Sequence, residues 1–157
     1  MRGTTRQIVK WLMDQEAGLE WEIKPYKAKR SLTQNGYYWT LVGQIADMKR
    51  LPKSYVHNMM LRDYGQIDSM EGRLIQVTIP DTDAAEEQAL RSETYHIKPT
   101  SQVMLGTKGQ MFRTYIMLRG SHSFDTREMA VLLDGTIQEA QNLGINTLTP
   151  AERALLK

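Results

Sequence analysis

The 157-residue chain predicts a single α+β domain over residues 1–157, with a mixed or antiparallel sheet of about four to five strands covered by about five to six helices. Three observations carry that expectation. Helix starts recur as a short capping residue followed three positions later by Glu or Gln, the spacing at which each side chain satisfies a backbone N–H of the other. Between the helices lie short runs with an apolar residue at every second position, the period of a half-buried strand. The length suffices to bury a core without disulfides or a structural metal.

The elements follow in order. Thr4 with Gln7 opens a first helix to about Glu16. Leu19, Trp21 and Ile23 alternate with Glu20, Glu22 and Lys24, which predicts a strand with one face buried. Ser31 with Gln34 opens a second helix to about Lys49. Its apolar residues fall in two stripes, Leu32, Trp39, Val42 and Ala46 beside Tyr38, Leu41, Ile45 and Met48, so most of its girth is expected in the core, Trp39 included. A third helix follows Pro52, covers Lys53 to Tyr64 and ends at Gly65. Arg73 to Ile79 reads as a strand with Ile75, Val77 and Ile79 inward, closed by Pro80. Asp83 with Glu86 opens a short acidic helix, within a stretch, 81–93, that also reads as an exposed acidic excursion. Tyr95 to Lys98 and Gln102 to Leu105 are weaker strand signals, and Gly106 to Gly109 is a hairpin turn into a strand from Met111 to Leu118. In that strand Phe112, Thr114, Ile116 and Leu118 face away from Arg113 and Tyr115. Asp125 with Glu128 opens the longest helix, stopped at Gly144, and Thr149 with Glu152 opens the last, with Pro150 at its first position.

Composition narrows the function. Hydrophobic residues make up 41% of the chain, yet no apolar run approaches the roughly 18 residues that cross a membrane. Residues 1–16 lack the apolar segment and cleavage site of a signal peptide, so a cytoplasmic protein is expected. Cysteine is absent and the three histidines, His57, His96 and His122, stand far apart, a pattern that predicts no metal and no cofactor. The net charge of +2 hides a strong segregation. Residues 1–62 carry 11 Lys and Arg against 5 acids, residues 63–93 carry 2 against 8, and residues 94–124 carry four bases with no acid. Such segregation creates local positive fields that attract polyanions, unless opposite segments face each other in the fold.

The densest mixture lies where the first predicted strand meets the second helix. Lys24, Lys27, Lys29 and Arg30 precede a helix start whose free N–H groups add partial positive charge, an arrangement suited to phosphate. Tyr37, between the two apolar stripes, is the expected stacking surface for an unpaired base. Asn35 falls within a stripe and must bond a backbone group or reach a ligand. Arg113, Tyr115, Arg119 and His122 repeat the basic and aromatic mixture in the acid-free segment. No phosphate loop, nucleophile elbow or zinc pattern is present, so no enzyme activity is expected. The alternative is a metal-dependent DNA nuclease or junction resolvase built on segment 63–93, through Asp63, Asp68, Asp81 and Asp83.

The unit Lys29-Arg30-Ser31-Leu32-Thr33-Gln34-Asn35, followed by Trp39, Leu41 and Ile45, resembles the Arg-Ser-Leu-x-Gln-Asn helix of the NinB (Orf) recombination proteins of lambda-like phages. The helix from Thr126 through Gly144 and the short one with Ala151, Glu152 and Leu155 are similar to further elements of that family, while residues 55 to 122 depart from its pattern. The resemblance implies a phage or prophage protein that binds single-stranded, and also duplex or branched, DNA as a homodimer. It further implies a non-catalytic mediator of homologous recombination that works with single-strand-binding protein and helps load a recombinase.

Overall fold

The computed structural model describes residues 3–23 and 32–154, the side chains of the second stretch from Gln34 onward. Among the described residues six helices and five strands follow one another as α1 (Thr5–Met13), α2 (Leu32–Lys49), α3 (Lys53–Tyr64), β1 (Ser69–Met70), β2 (Arg73–Leu74), β3 (Gln76–Pro80), α4 (Asp83–Arg91), β4 (His96–Leu105), β5 (Met111–Leu118), α5 (Thr126–Asn142) and α6 (Pro150–Ala154). The fold is α+β, with a three-stranded antiparallel sheet in the order β3-β5-β4 and a separate β1–β2 hairpin.

Local signals set the helix ends. Thr4 and Gln7 form the reciprocal cap of α1, and Asp125 and Glu128 form that of α5. Thr149 and Glu152 do the same before α6. At α4 the cap lies one residue earlier than expected, because Thr82 rather than Asp83 accepts the Ala85 N–H. Gly144, at φ 76°, takes the left-handed conformation that stops α5, and Ile145 N–H reaches back to the Ala140 carbonyl.

The main core lies between three helices. Tyr38, Leu41, Val42, Ile45 and Ala46 of α2 pack on Val56, Met60 and Leu61 of α3 and on Met129, Leu132, Leu133, Ile137 and Ala140 of α5. A smaller core joins Ala89 of α4 to Ile97 and Tyr115 of the sheet. Segment 81–93 is therefore no excursion: α4 buries Ala89 and Leu90.

Three expectations are corrected. Residues 19–23 form no strand, and Leu19, Trp21 and Ile23 are exposed. Alternation alone does not make a strand, which needs a partner to complete its hydrogen-bond ladder, and Trp21 instead meets Trp11 edge-on at 4.8 Å. The strand expected over Arg73 to Ile79 is divided at Ile75 between β2, which turns back on β1, and β3, which pairs with β5. The two weaker signals beyond Tyr95 merge into one strand, β4, whose register shifts between Pro99 and Val103.

The β4–β5 pairing positions the candidate site. His96, first in β4, lies opposite Leu118, last in β5. The chain leaves β5 into a short 3₁₀ turn, Ser121–Ser123, which brings His122 back beside the start of β4.

Candidate nucleic-acid interface

All three histidines of the chain line one open cavity of about 370 Å³, together with Trp39, Lys53 and Ser54. The helical core dictates the inner wall. Tyr38 points wholly into the core, so its neighbour Trp39 emerges on the next face of α2, 36% exposed, with its ring 4.7 Å from that of His57 and tilted by 33°. Lys53 and His57 stand four residues apart on α3 and share a face. Gly43 gives Lys53 room: a Cβ there would stand 3.3 Å from Lys53 Cε. No carboxylate pairs with Lys53 among the described residues.

Hydrogen bonding fixes the two buried imidazoles in opposite tautomers. The Tyr38 hydroxyl lies 2.6 Å from His57 Nδ1 and has no other acceptor among the described residues, so it donates and leaves the His57 proton on Nε2. Asn58 Nδ2 faces the carbonyls of Ser54, Leu90 and Ser92 at 3.0, 2.8 and 2.7 Å. Only an amide nitrogen suits that position, so Oδ1 is the atom 2.6 Å from His96 Nδ1, and His96 donates to it. His96 therefore keeps an unprotonated Nε2. Among the described residues no hydrogen bond occupies either Nε2. The His57 and His96 rings meet edge to face at 5.2 Å.

Burial, with the neighbouring His96 charge second, pushes His57 down to about 3. Burial, then the charge of His122, lowers His96. Burial also raises the Tyr38 hydroxyl far above its usual range, which keeps it a donor. The inner cavity thus presents one N–H donor from His57, one imidazole acceptor from His96, serine hydroxyls and Lys53 beneath an indole face, with Glu93 also in its lining.

The residues singled out by sequence distribute unevenly. Lys24, Lys27, Lys29 and Arg30 lie outside the described residues. Asn35 is half-buried and its Oδ1 has no partner among the described residues. Tyr37 is no open stacking surface: it is half-buried against the main core and its hydroxyl accepts the Leu148 N–H at 2.8 Å. Tyr115 is buried, not outward, and donates to Glu86, which also pairs with Arg62. Arg113 is held by Asp81 at 2.8 Å and donates to the Thr100 carbonyl. Arg119 grips Glu128 with both terminal nitrogens, at 2.7 and 3.2 Å. His122 alone of the described residues on that roster reaches the cavity.

The acidic and acid-free segments therefore face each other. Burial raises Glu86, but hydrogen bonds from Arg62 and Tyr115 and the charges of Arg62 and Arg113 outweigh it and hold the carboxyl below its ordinary range. Burial, then the bond to Glu86, pushes Tyr115 up to about 12. Among the described residues no group of three or more His, Asp or Glu is placed to hold a metal ion.

His57, His96 and Lys53 are not among the site residues that the sequence singles out, and Trp39, expected in the core, is exposed instead. One signal was available, the Lys53 and His57 pair at helical spacing beside the amide of Asn58. Among the described residues no helix is long and apolar enough to cross a membrane. No protein-family model, curated protein or solved structure matches the chain.

Proposed function

We propose that the protein binds single-stranded DNA and acts in homologous recombination as a non-catalytic mediator that assists recombinase loading, the role implied by its resemblance to the NinB family. The observation that carries the reading is Trp39, a large aromatic ring left open at the mouth of a cavity that also holds Lys53, unpaired among the described residues. An indole face stacks on any base, and cations and N–H donors beside it suit the backbone. Trp39 belongs to the same helix as the Leu32 to Asn35 part of the family-like motif, so one element would present both. A phage or prophage origin, a homodimer, a partner in single-strand-binding protein and a place in the bacterial cytoplasm belong to the same proposal.

The test is fluorescence anisotropy with labelled single-stranded and duplex oligonucleotides across a salt series. Binding that weakens steeply with salt, and is stronger for the single strand, is expected. No salt-sensitive binding at low ionic strength would end this reading. A recombinase-assembly assay on strands coated with single-strand-binding protein tests the mediator role separately.

A further inference from the structure

The cavity beneath Trp39 has the chemistry of an anion site. His96 Nε2 has no hydrogen-bond partner among the described residues, while its other nitrogen is fixed by Asn58, itself anchored to three carbonyls. A buried amide committed in this way orients the imidazole, a constraint that packing alone does not demand. His96 Nε2 and His122 Nδ1 lie 3.6 and 2.6 Å from the point where a Cβ on Gly120 would stand, so both imidazoles border the space this glycine leaves open. Lys53, unpaired among the described residues, lines the same cavity.

We propose that this cavity seats one phosphate group of a nucleotide unit, held by His96, His122 and Lys53, with the attached base against Trp39. The phosphate chemistry stands on the cavity itself; that the phosphate belongs to a DNA strand rests on the function proposed above. A phosphate offers several acceptor oxygens at once, which matches Lys53 from α3, His122 from the turn after β5 and, once it takes up a proton, His96 Nε2 from β4.

Binding then takes up a proton. The groups facing His96 are His57 and Lys53 from α3, Glu93 from the turn before β4 and His122 from the turn after β5, while α2 contributes the uncharged Trp39. Burial and the charge of His122 hold the empty His96 below its ordinary value, and a bound anion reverses the electrostatic part. Affinity for a phosphodiester, which does not itself titrate in this range, therefore rises as pH falls from 8 to 6, by up to about tenfold per unit where one proton is taken up.

The experiment uses the full chain labelled with ¹⁵N, with imidazole nitrogens followed by NMR during titration with inorganic phosphate, a deoxynucleoside monophosphate and a single-stranded oligonucleotide at pH 6 and 8. His96 Nε2 is expected to move from the lone-pair to the protonated position with each ligand. His122→Gln, at an exposed residue, is expected to weaken each ligand severalfold. His96→Gln should do the same, but its buried position makes His122→Gln the decisive variant. If the oligonucleotide binds while His96 and His122 signals stay unmoved and His122→Gln binds as tightly as the unaltered chain, the phosphate seat is overturned and the DNA reading survives. If phosphate and mononucleotide shift His96 but the oligonucleotide does not bind, the seat stands and the DNA reading fails.

Discussion

The Tyr38 hydroxyl lies 2.6 Å from His57 Nδ1, and this one contact decides which face of the imidazole carries its proton. Tyr38 is wholly buried, so its O–H donates to the histidine and His57 turns an N–H toward the cavity. Tyr38→Phe keeps the ring in the core but leaves Nδ1 without its donor. A loss of about 1–2 kcal/mol is expected from the unsatisfied nitrogen, together with a mixture of tautomers at His57. Urea unfolding gives the first quantity and ¹⁵N shifts the second; a tautomer unchanged in the variant would contradict the assignment.

The same histidine makes stability depend on pH. His57 takes up its proton near 6.5 when unfolded but only at about 3 when folded, so the unfolded chain binds more protons throughout that window. Stability is therefore complete above about pH 6.5 and declines as pH falls, with a slope from this residue approaching about 1.4 kcal/mol per unit. His96, lowered in the same sense, steepens the decline. Melts between pH 6.5 and 5, where carboxylates are still mostly ionised, record the decline from the two histidines together. His57→Gln should flatten that slope, and equal slopes would remove His57 as its source.

Gly135 lies in the buried face of α5 against the ring of Tyr64, where an added Cβ would stand 2.3 to 2.5 Å from three ring carbons. Tyr64 is tied through its hydroxyl to Glu139 at 3.0 Å and cannot withdraw freely. Alanine in a helix gains about 1 kcal/mol over glycine, but overpacking of about 1–3 kcal/mol opposes it. Gly135→Ala is expected to lower the melting temperature, and to raise it when Tyr64→Ala removes the ring. A rise in the otherwise unaltered chain would show that the helices separate at little cost.

How much of this could be read beforehand depended on range. Thr4 with Gln7, Asp125 with Glu128 and Thr149 with Glu152 are contacts three residues long, complete within the sequence that displays them. The alternation at Leu19, Trp21 and Ile23 looked equally plain, yet a strand depends on a distant partner that alternation does not specify. The cavity was hidden for the same reason. His57, His96 and His122 meet only because β4 starts opposite the end of β5, a register set by pairing across a hairpin. Arg113 and Arg119 looked available for phosphate because a solvated cation and a paired one are written with the same letter; Asp81 and Glu128 are what distinguish them.

Trp39 is where the helical period was most persuasive and least accurate. It shares a stripe with Val42 and Ala46, both buried, but at Trp39 itself the stripe meets the cavity, and the ring remains 36% exposed over His57. A fully buried tryptophan costs roughly 3–5 kcal/mol on truncation to alanine. With part of its surface already in water, Trp39→Ala should cost less, about 1–2 kcal/mol on the area that leaves solvent, and should remove the stacking face. The expected result is a protein that folds but binds single-stranded oligonucleotide at least severalfold more weakly, with Trp39→Phe intermediate. Urea unfolding and anisotropy on the two variants separate the roles. If Trp39→Ala lost more than about 3 kcal/mol while its affinity held, the indole would be a core residue and the cavity would have to bind without it.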